Sequence, residues 1–234
     1  AMEELFEKDG YTVVGEEEVA DVYVINTCTV TNIGDRKSRQ FIRRAKKLNK
    51  DSIIAVVGCY SQVAPDEIEK MGDVDVIIGT GDKSEIVKCC EESKTLKKQI
   101  NIVKSSKNLR NFEELKIEDI KSRTRAYMKI QEGCNQYCSY CIILYARGPI
   151  RSRDINNIIA EANRLANSGF KEIILTGIHV ASYGKDLGNI GLLDVIKEIS
   201  KVEGIERIRL SSMEPTLINS NFMKTVCKIP QFCD

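Results

Sequence analysis

Residues 126–153 read AYMKIQEGCNQYCSYCIILYARGPIRSR, and this stretch decides how the rest of the chain is read. Its first five residues alternate apolar and polar, the period of a half-buried strand, and Gly133 marks the loop that follows. In that loop Cys134, Cys138 and Cys141 stand in C-x3-C-x2-C spacing. A closed zinc site takes four ligands, and the segment supplies no histidine, so the three thiols do not complete one alone. Iron–sulfur clusters are also held by thiolates, and a cluster held by only three leaves one iron open to an outside ligand. Three ordinary loop cysteines, or a zinc knuckle completed from elsewhere, are the other readings of this spacing.

The 234 residues suffice for one large or two medium domains, and 42% hydrophobic with 29% charged residues is an ordinary soluble composition. No apolar run approaches the ~20 residues a membrane span needs, so a cytoplasmic enzyme is expected. Nine cysteines in a chain this long and lysine-rich point to metal or redox use rather than to a disulfide framework. His179 is the only histidine, which excludes catalysis by paired histidines.

From the amino end, residues 1–9 read as a helix already under way, stopped by Gly10, so a strand is expected upstream of it. Strands are expected at 21–26, 52–58 and 74–78, with helices near 30–48 and 65–71 and another carrying Cys89 and Cys90. This alternation predicts βαβ units and a parallel sheet, whose ligand crevice lies at the carboxyl ends of the strands. Cys28 and Cys59 both fall at that edge, as small buried hydrophobes or as partners that meet. Cys89, Cys90, Cys227 and Cys233 lack partners at ligand spacing and are read as structural.

Residues 36–50 hold eight basic side chains and no acidic one, while Phe41, Ala45 and Leu48 recur at helical spacing. That predicts a helix with one face in the core and a positive face outside, either solvated or set against RNA phosphates through Arg43, Arg44, Lys46 and Lys47. Residues 91–125 turn polar and lysine-rich, the natural connection between two domains. Beyond the cysteine loop, a helix at 155–167, a strand at 171–175 leading into Thr176-Gly177, a helix at 192–201 and a strand at 207–210 continue the β/α alternation. Only about three such units fit before the chain ends, against the roughly 250 residues of a closed eight-unit barrel.

The cysteine loop, with Tyr140 just before the third cysteine, resembles the signature of the radical S-adenosylmethionine (SAM) enzymes. The segments VINTCTVTNIGDRKSRQ, VVGCYSQ, IQEGCNQYCSYCII, YARGPIRSR and LTGIHVASYG together resemble the methylthiotransferase branch, and within it the threonylcarbamoyladenosine tRNA enzymes. The fold this implies is α/β: a parallel-sheet domain at 1–92, a linker at 93–122, and the first half of a radical SAM partial barrel at 123–234. Both ends of the chain are expected to continue in the parent protein.

The resemblance implies two 4Fe-4S clusters and SAM. Cys134, Cys138 and Cys141 would hold the cluster that binds SAM; Cys28 and Cys59 match the second and third ligands of an auxiliary cluster. Tyr140, Thr176 and Gly177 match cofactor contacts, and Arg147, Arg151 and Arg153 match an arginine-rich segment toward RNA. No separate catalytic side chain is assigned. The implied partners are a tRNA anticodon stem-loop and an electron donor such as flavodoxin or ferredoxin, with no membrane. Leu144 departs from the family's usual proline, whose fixed φ its absence would release. The rival readings are a methylthiotransferase for isopentenyladenosine tRNA or a ribosomal protein aspartate, and a non-catalytic metal- or RNA-binding fragment.

Overall fold

The computed structural model describes residues 2–29, 31–115, 125–214 and 218–233. Part of the expected linker, 116–122, and the first residues of the expected second domain lie outside them. The chain divides into two compact units: of the described residues, the first takes those up to 109 together with 115 and 137–148, and the second takes 110–114, 125–136 and 149–233.

In the first unit α1 (Met2–Lys8) precedes β1 (Val22–Thr27), α2 (Asn32–Leu48), β2 (Ile53–Gly58), α3 (Cys59–Val63), α4 (Pro65–Glu69), β3 (Val76–Ile78), α5 (Ile86–Leu96) and β4 (Ile100–Asn101). All four strands are parallel, in the order β1-β2-β3-β4. The period of two along β2 divides its side chains between two cores. Ala55 and Val57 join Phe6, Ile86 and Val87 on one face, while Ile54 and Val56 join Ile42, Ala45 and Ile68 on the other.

Two expectations need correction here. The buried stripe of α2 runs through Ser38, Ile42 and Ala45, whereas Phe41 and Leu48 are 49% and 38% exposed. Those two side chains instead line a groove of about 1000 Å³ along β1, an edge strand of the sheet, together with Val13, Val14 and Val19. The polar stretch after Cys90 is folded as far as residue 109: the amide of Ile100 donates to Asp75 O at 2.8 Å and that of Ile102 to Ile77 O at 3.1 Å. A two-residue strand framed by lysines carries too little periodicity to be seen in sequence.

The second unit holds β5 (Arg125–Glu132), β6 (Arg151–Ser152), α7 (Ile155–Asn167), β7 (Glu172–Gly177), α8 (Leu192–Ile199), β8 (Arg207–Leu210) and α9 (Ser220–Val226). The sheet order is β6-β5-β7-β8, with β5, β7 and β8 parallel and β6 antiparallel at the edge. Ala126, Met128 and Ile130 of β5 and Ile173 and Leu175 of β7 pack on Ile158, Ala162 and Leu165 of α7 and on Val195, Ile196 and Ile199 of α8. Asp154 caps α7 by accepting from Asn156 N and Asn157 N. These are β/α units of an incomplete barrel. Between the two parts of this unit the chain forms α6 (Ile143–Arg147), which belongs to the first unit.

Candidate iron–sulfur sites

The register of β1 on β2 pairs Thr27 with Gly58, so Cys28 and Cys59 follow at neighbouring ends of adjacent parallel strands. Strands in a sheet stand about 4.8 Å apart, which makes these two positions neighbours. Thr27 fixes that edge: its hydroxyl donates to Val57 O at 2.7 Å and accepts from Tyr60 N at 3.2 Å. Gly58, at φ +106, turns the chain into α3, and a Cβ there would lie 2.6 Å from Thr27 O. Only glycine takes that turn without strain. Both cysteines are free thiols, Cys28 exposed and Cys59 buried.

Cys59 Sγ accepts from Nε of Arg147 at 3.1 Å. Arg147 closes α6, whose position is fixed one residue earlier, where the Thr80 hydroxyl donates to Ala146 O at 2.8 Å. Leu144 lies within α6, and its carbonyl accepts from Gly148 N at 2.9 Å, so the segment that lacks the family's proline is a closed helical turn.

Cys134, Cys138 and Cys141 are also free; Cys138 is exposed and the other two half-exposed. Cys134 follows β5 in the second unit, whereas Cys138 and Cys141 lie in the segment that packs with the first. A backbone hydrogen bond of 3.0 Å, Cys141 N to Cys138 O, closes the turn between the last two. Among the described residues no three His, Cys, Asp or Glu side chains are gathered as a formed metal-ligand set. By donor chemistry three soft, unoxidised thiols within eight residues suit an iron–sulfur cluster better than a hard cation.

Gln131, fully buried in β5, holds the entrance to that loop. Its amide nitrogen donates to Glu132 O and Gly133 O, both at 2.7 Å, and its oxygen accepts from His179 N at 2.7 Å. The sequence reading missed this residue because a glutamine in an alternating strand has no motif of its own. Thr176 and Gly177 end β7 within the strand rather than after it, and Gly177 pairs with Gln131 across a register shift.

Two of the arginines read as facing RNA are buried in ion pairs. Arg151, 3% exposed, lies 3.7 Å from Glu132, itself paired with Lys129 at 2.8 Å. Arg153, 4% exposed, bonds Glu114 at 2.6 Å and also pairs with Glu161, with its guanidinium over the Phe112 ring. Burial alone would lower the Arg153 pKa, but the two carboxylates outweigh it and raise the pKa. A patterned RSR triplet does not reveal that carboxylates 39 residues upstream and 8 downstream take it up.

On α2, Arg44 pairs with Glu17, and Lys46 donates to Ser52 O at 2.9 Å and lies 3.6 Å from Asp75. Arg43 and Lys47 are exposed. Tyr140, read as a cofactor contact, is 90% exposed, and Tyr137 and Tyr145 in the same segment, which the motif reading passed over, are 69% and 62% exposed. Cys89 and Cys90 are buried in α5, and burial pushes the Cys90 thiol up to about 12, as suits a structural cysteine. Among the described residues no helix is long and apolar enough to cross a membrane.

Residues 1–79 match the family described as Uncharacterized protein family UPF0004, and residues 128–217 match the Radical SAM superfamily. The chain is 44% identical over 227 residues to the threonylcarbamoyladenosine tRNA methylthiotransferase MtaB of Bacillus subtilis (strain 168), covering 97% of this chain and 50% of that protein. It is 44% identical to the MtaB of Aquifex aeolicus (strain VF5), covering 94% and 54%, and 33% identical to a tRNA-2-methylthio-N(6)-dimethylallyladenosine synthase of Sulfurihydrogenibium sp. (strain YO3AOP1), covering 96% and 52%. The chain thus spans about half the length of the curated relatives it matches. The radical SAM methyltransferase TsrM of Kitasatospora setae, solved with tryptophan substrate and a SAM analogue, shares the fold at a TM-score of 0.57 and 15% identity, over 96% of this chain and 48% of that one. The chain thus joins a UPF0004 segment to a Radical SAM segment, and over nearly its whole length it is similar to threonylcarbamoyladenosine tRNA methylthiotransferases.

Proposed function

We propose that the protein to which this chain belongs is a tRNA methylthiotransferase that inserts sulfur at C2 of N6-threonylcarbamoyladenosine, beside the anticodon, and methylates it. The observation that carries this reading is the 44% identity to two threonylcarbamoyladenosine enzymes, against 33–34% for two dimethylallyladenosine synthases; a third threonylcarbamoyladenosine enzyme, from Thermotoga maritima, is 34% identical. The cofactors it needs are SAM and iron–sulfur clusters, which together supply a 5′-deoxyadenosyl radical and activated sulfur.

In this reading Cys134, Cys138 and Cys141 hold the cluster that binds SAM, and Gln131 keeps the loop that carries Cys134 closed on β5. Thr176 and Gly177, at the carboxyl end of a barrel strand, lie on the face where such barrels bind ligands. Cys28 and Cys59 hold a second cluster as two of its three protein ligands. Thr27 and Gly58 hold the two strand ends that present these thiols. The exposed rings of Tyr137, Tyr140 and Tyr145 offer stacking faces to SAM and to a base taken out of its stack, as chemistry at a base carbon requires. The positive face of α2, with Arg43 and Lys47 foremost, meets tRNA phosphates. A flavodoxin or ferredoxin supplies the electron, and the chemistry takes place in the cytoplasm.

Mass spectrometry of tRNA nucleosides from a strain lacking the gene tests this. Loss of the methylthio group from threonylcarbamoyladenosine alone is expected. Loss from isopentenyladenosine instead would move the assignment to the neighbouring branch.

A further inference from the structure

Cys59 is 4% exposed, at the carboxyl edge of the first sheet. A sulfur that ligates iron there carries negative charge, and burying charge without a partner is costly. The partner comes from 88 residues away in sequence: Arg147 Nε donates to Cys59 Sγ at 3.1 Å. The guanidinium reaches this position by a built support. Gln62 Oε1 accepts from Thr80 N at 3.0 Å, the Thr80 hydroxyl donates to Ala146 O at 2.8 Å, and Arg147 follows at the end of α6. The same helix begins two residues after Cys141.

We propose that Arg147 is a positioning residue for Cys59: it holds the sulfur in place, and its charge raises the reduction potential of the iron–sulfur centre that Cys59 ligates. The inference rests on the reading of Cys59 as a cluster ligand. Hydrogen bonds to ligating sulfurs and nearby charge are the protein's means of setting such potentials, because the reduced centre is the more negative one. A positive group on the sulfur therefore favours reduction. The donor is carried by the helix that leaves the C-x3-C-x2-C loop, so the segment bearing Cys138 and Cys141 also fixes the surroundings of Cys59.

The test uses the full-length protein to which this chain belongs, so that the third ligand of the auxiliary cluster is present, with Cys138→Ala and Cys141→Ala, reconstituted anaerobically with iron and sulfide and titrated with dithionite by electron paramagnetic resonance. Cys59→Ala in that background should lose the remaining iron. Arg147→Gln should keep the iron but show a tenfold lower reduced-to-oxidised ratio at the potential where its parent is half reduced, which is 59 mV for one electron. Arg147→Lys, which keeps the charge, should show a smaller fall. An unchanged potential in Arg147→Gln overturns the proposal. If the background binds no iron, or keeps it without Cys59, the ligand reading fails instead. A double-mutant cycle in urea unfolding of the apo chain then judges the contact separately. Arg147→Gln and Cys59→Ala should be less than additive, and strict additivity overturns the contact too.

Discussion

Gly177 at the end of β7 and Gln131 of β5 occupy one space: a Cβ on Gly177 would lie 2.9 Å from Oε1 of Gln131 and 3.0 Å from its Cβ. The glutamine can bond the backbone of the cysteine loop on one side and His179 on the other because its neighbour has no side chain. Gly177→Ala should therefore destabilise the protein by about 1–3 kcal/mol, the range for overpacking a filled interior. Urea unfolding measures it. Combining Gly177→Ala with Gln131→Ala should recover part of the loss, and a loss that the second substitution leaves untouched would deny the shared space.

Arg153 is expected to matter for folding rather than for RNA. Breaking a buried ion pair by removing one partner costs about 3–5 kcal/mol, because Glu114 and Glu161 are left uncompensated. Arg153→Ala should show that loss in urea unfolding. At a temperature where the variant remains folded, the salt dependence of its tRNA binding should match the parent's.

The α2 helix gives the opposite pattern. Arg43 and Lys47 point to solvent, whereas Lys46 is engaged with Ser52 O and Asp75. Each phosphate contact removed should reduce the slope of log affinity against log salt by roughly 0.7–0.9. Replacing Arg43 and Lys47 by glutamine is thus expected to flatten the slope by about 1.5, measured by filter binding between 50 and 200 mM salt. Lys46→Gln should leave the slope alone and lower the unfolding midpoint.

Much of this architecture was legible because it rests on periodicity. The α7 helix and the β8 strand fall where the apolar spacing places them, and the strand ends bearing Cys28 and Cys59 follow from two short apolar runs closed by N-T-C and G-C-Y. What sequence hid depends on long-range partners. Phe41 and Ile42 are adjacent and both apolar, and only the placement of the sheet decides that Ile42 is buried while Phe41 lines the groove beside β1. Arg147, Arg151 and Arg153 look alike in RGPIRSR, yet one meets a sulfur and the other two meet carboxylates. No local pattern separates them.

Alkaline pH should weaken the folded state in a defined window. Burial, with Asp154 and Asp186 adding, pushes the Tyr183 hydroxyl up to about 12 from an ordinary 10, and burial pushes Cys90 to about 12 from 9. Both groups keep their protons in the folded chain after the unfolded chain has lost them. Their contribution is therefore complete below about pH 9 and is lost as pH rises toward 12. At about 1.4 kcal/mol per pKa unit, Tyr183 accounts for a fall on the order of 2–3 kcal/mol. Urea unfolding at pH 8, 10 and 11 should show this decline. Tyr183→Phe should lose the 2.7 Å hydrogen bond to Arg153 O at pH 8 but show a shallower decline above pH 10.

The measurement that bears most directly on the account is iron content after anaerobic reconstitution, compared between the chain and its Cys134→Ala, Cys138→Ala and Cys141→Ala variants. If these three thiols hold the cluster that binds SAM, each single substitution should remove about one cluster's worth of iron, roughly four atoms, together with its visible thiolate-to-iron absorbance. Cys227→Ala should remove none. Full iron and full absorbance in Cys138→Ala would contradict the assignment.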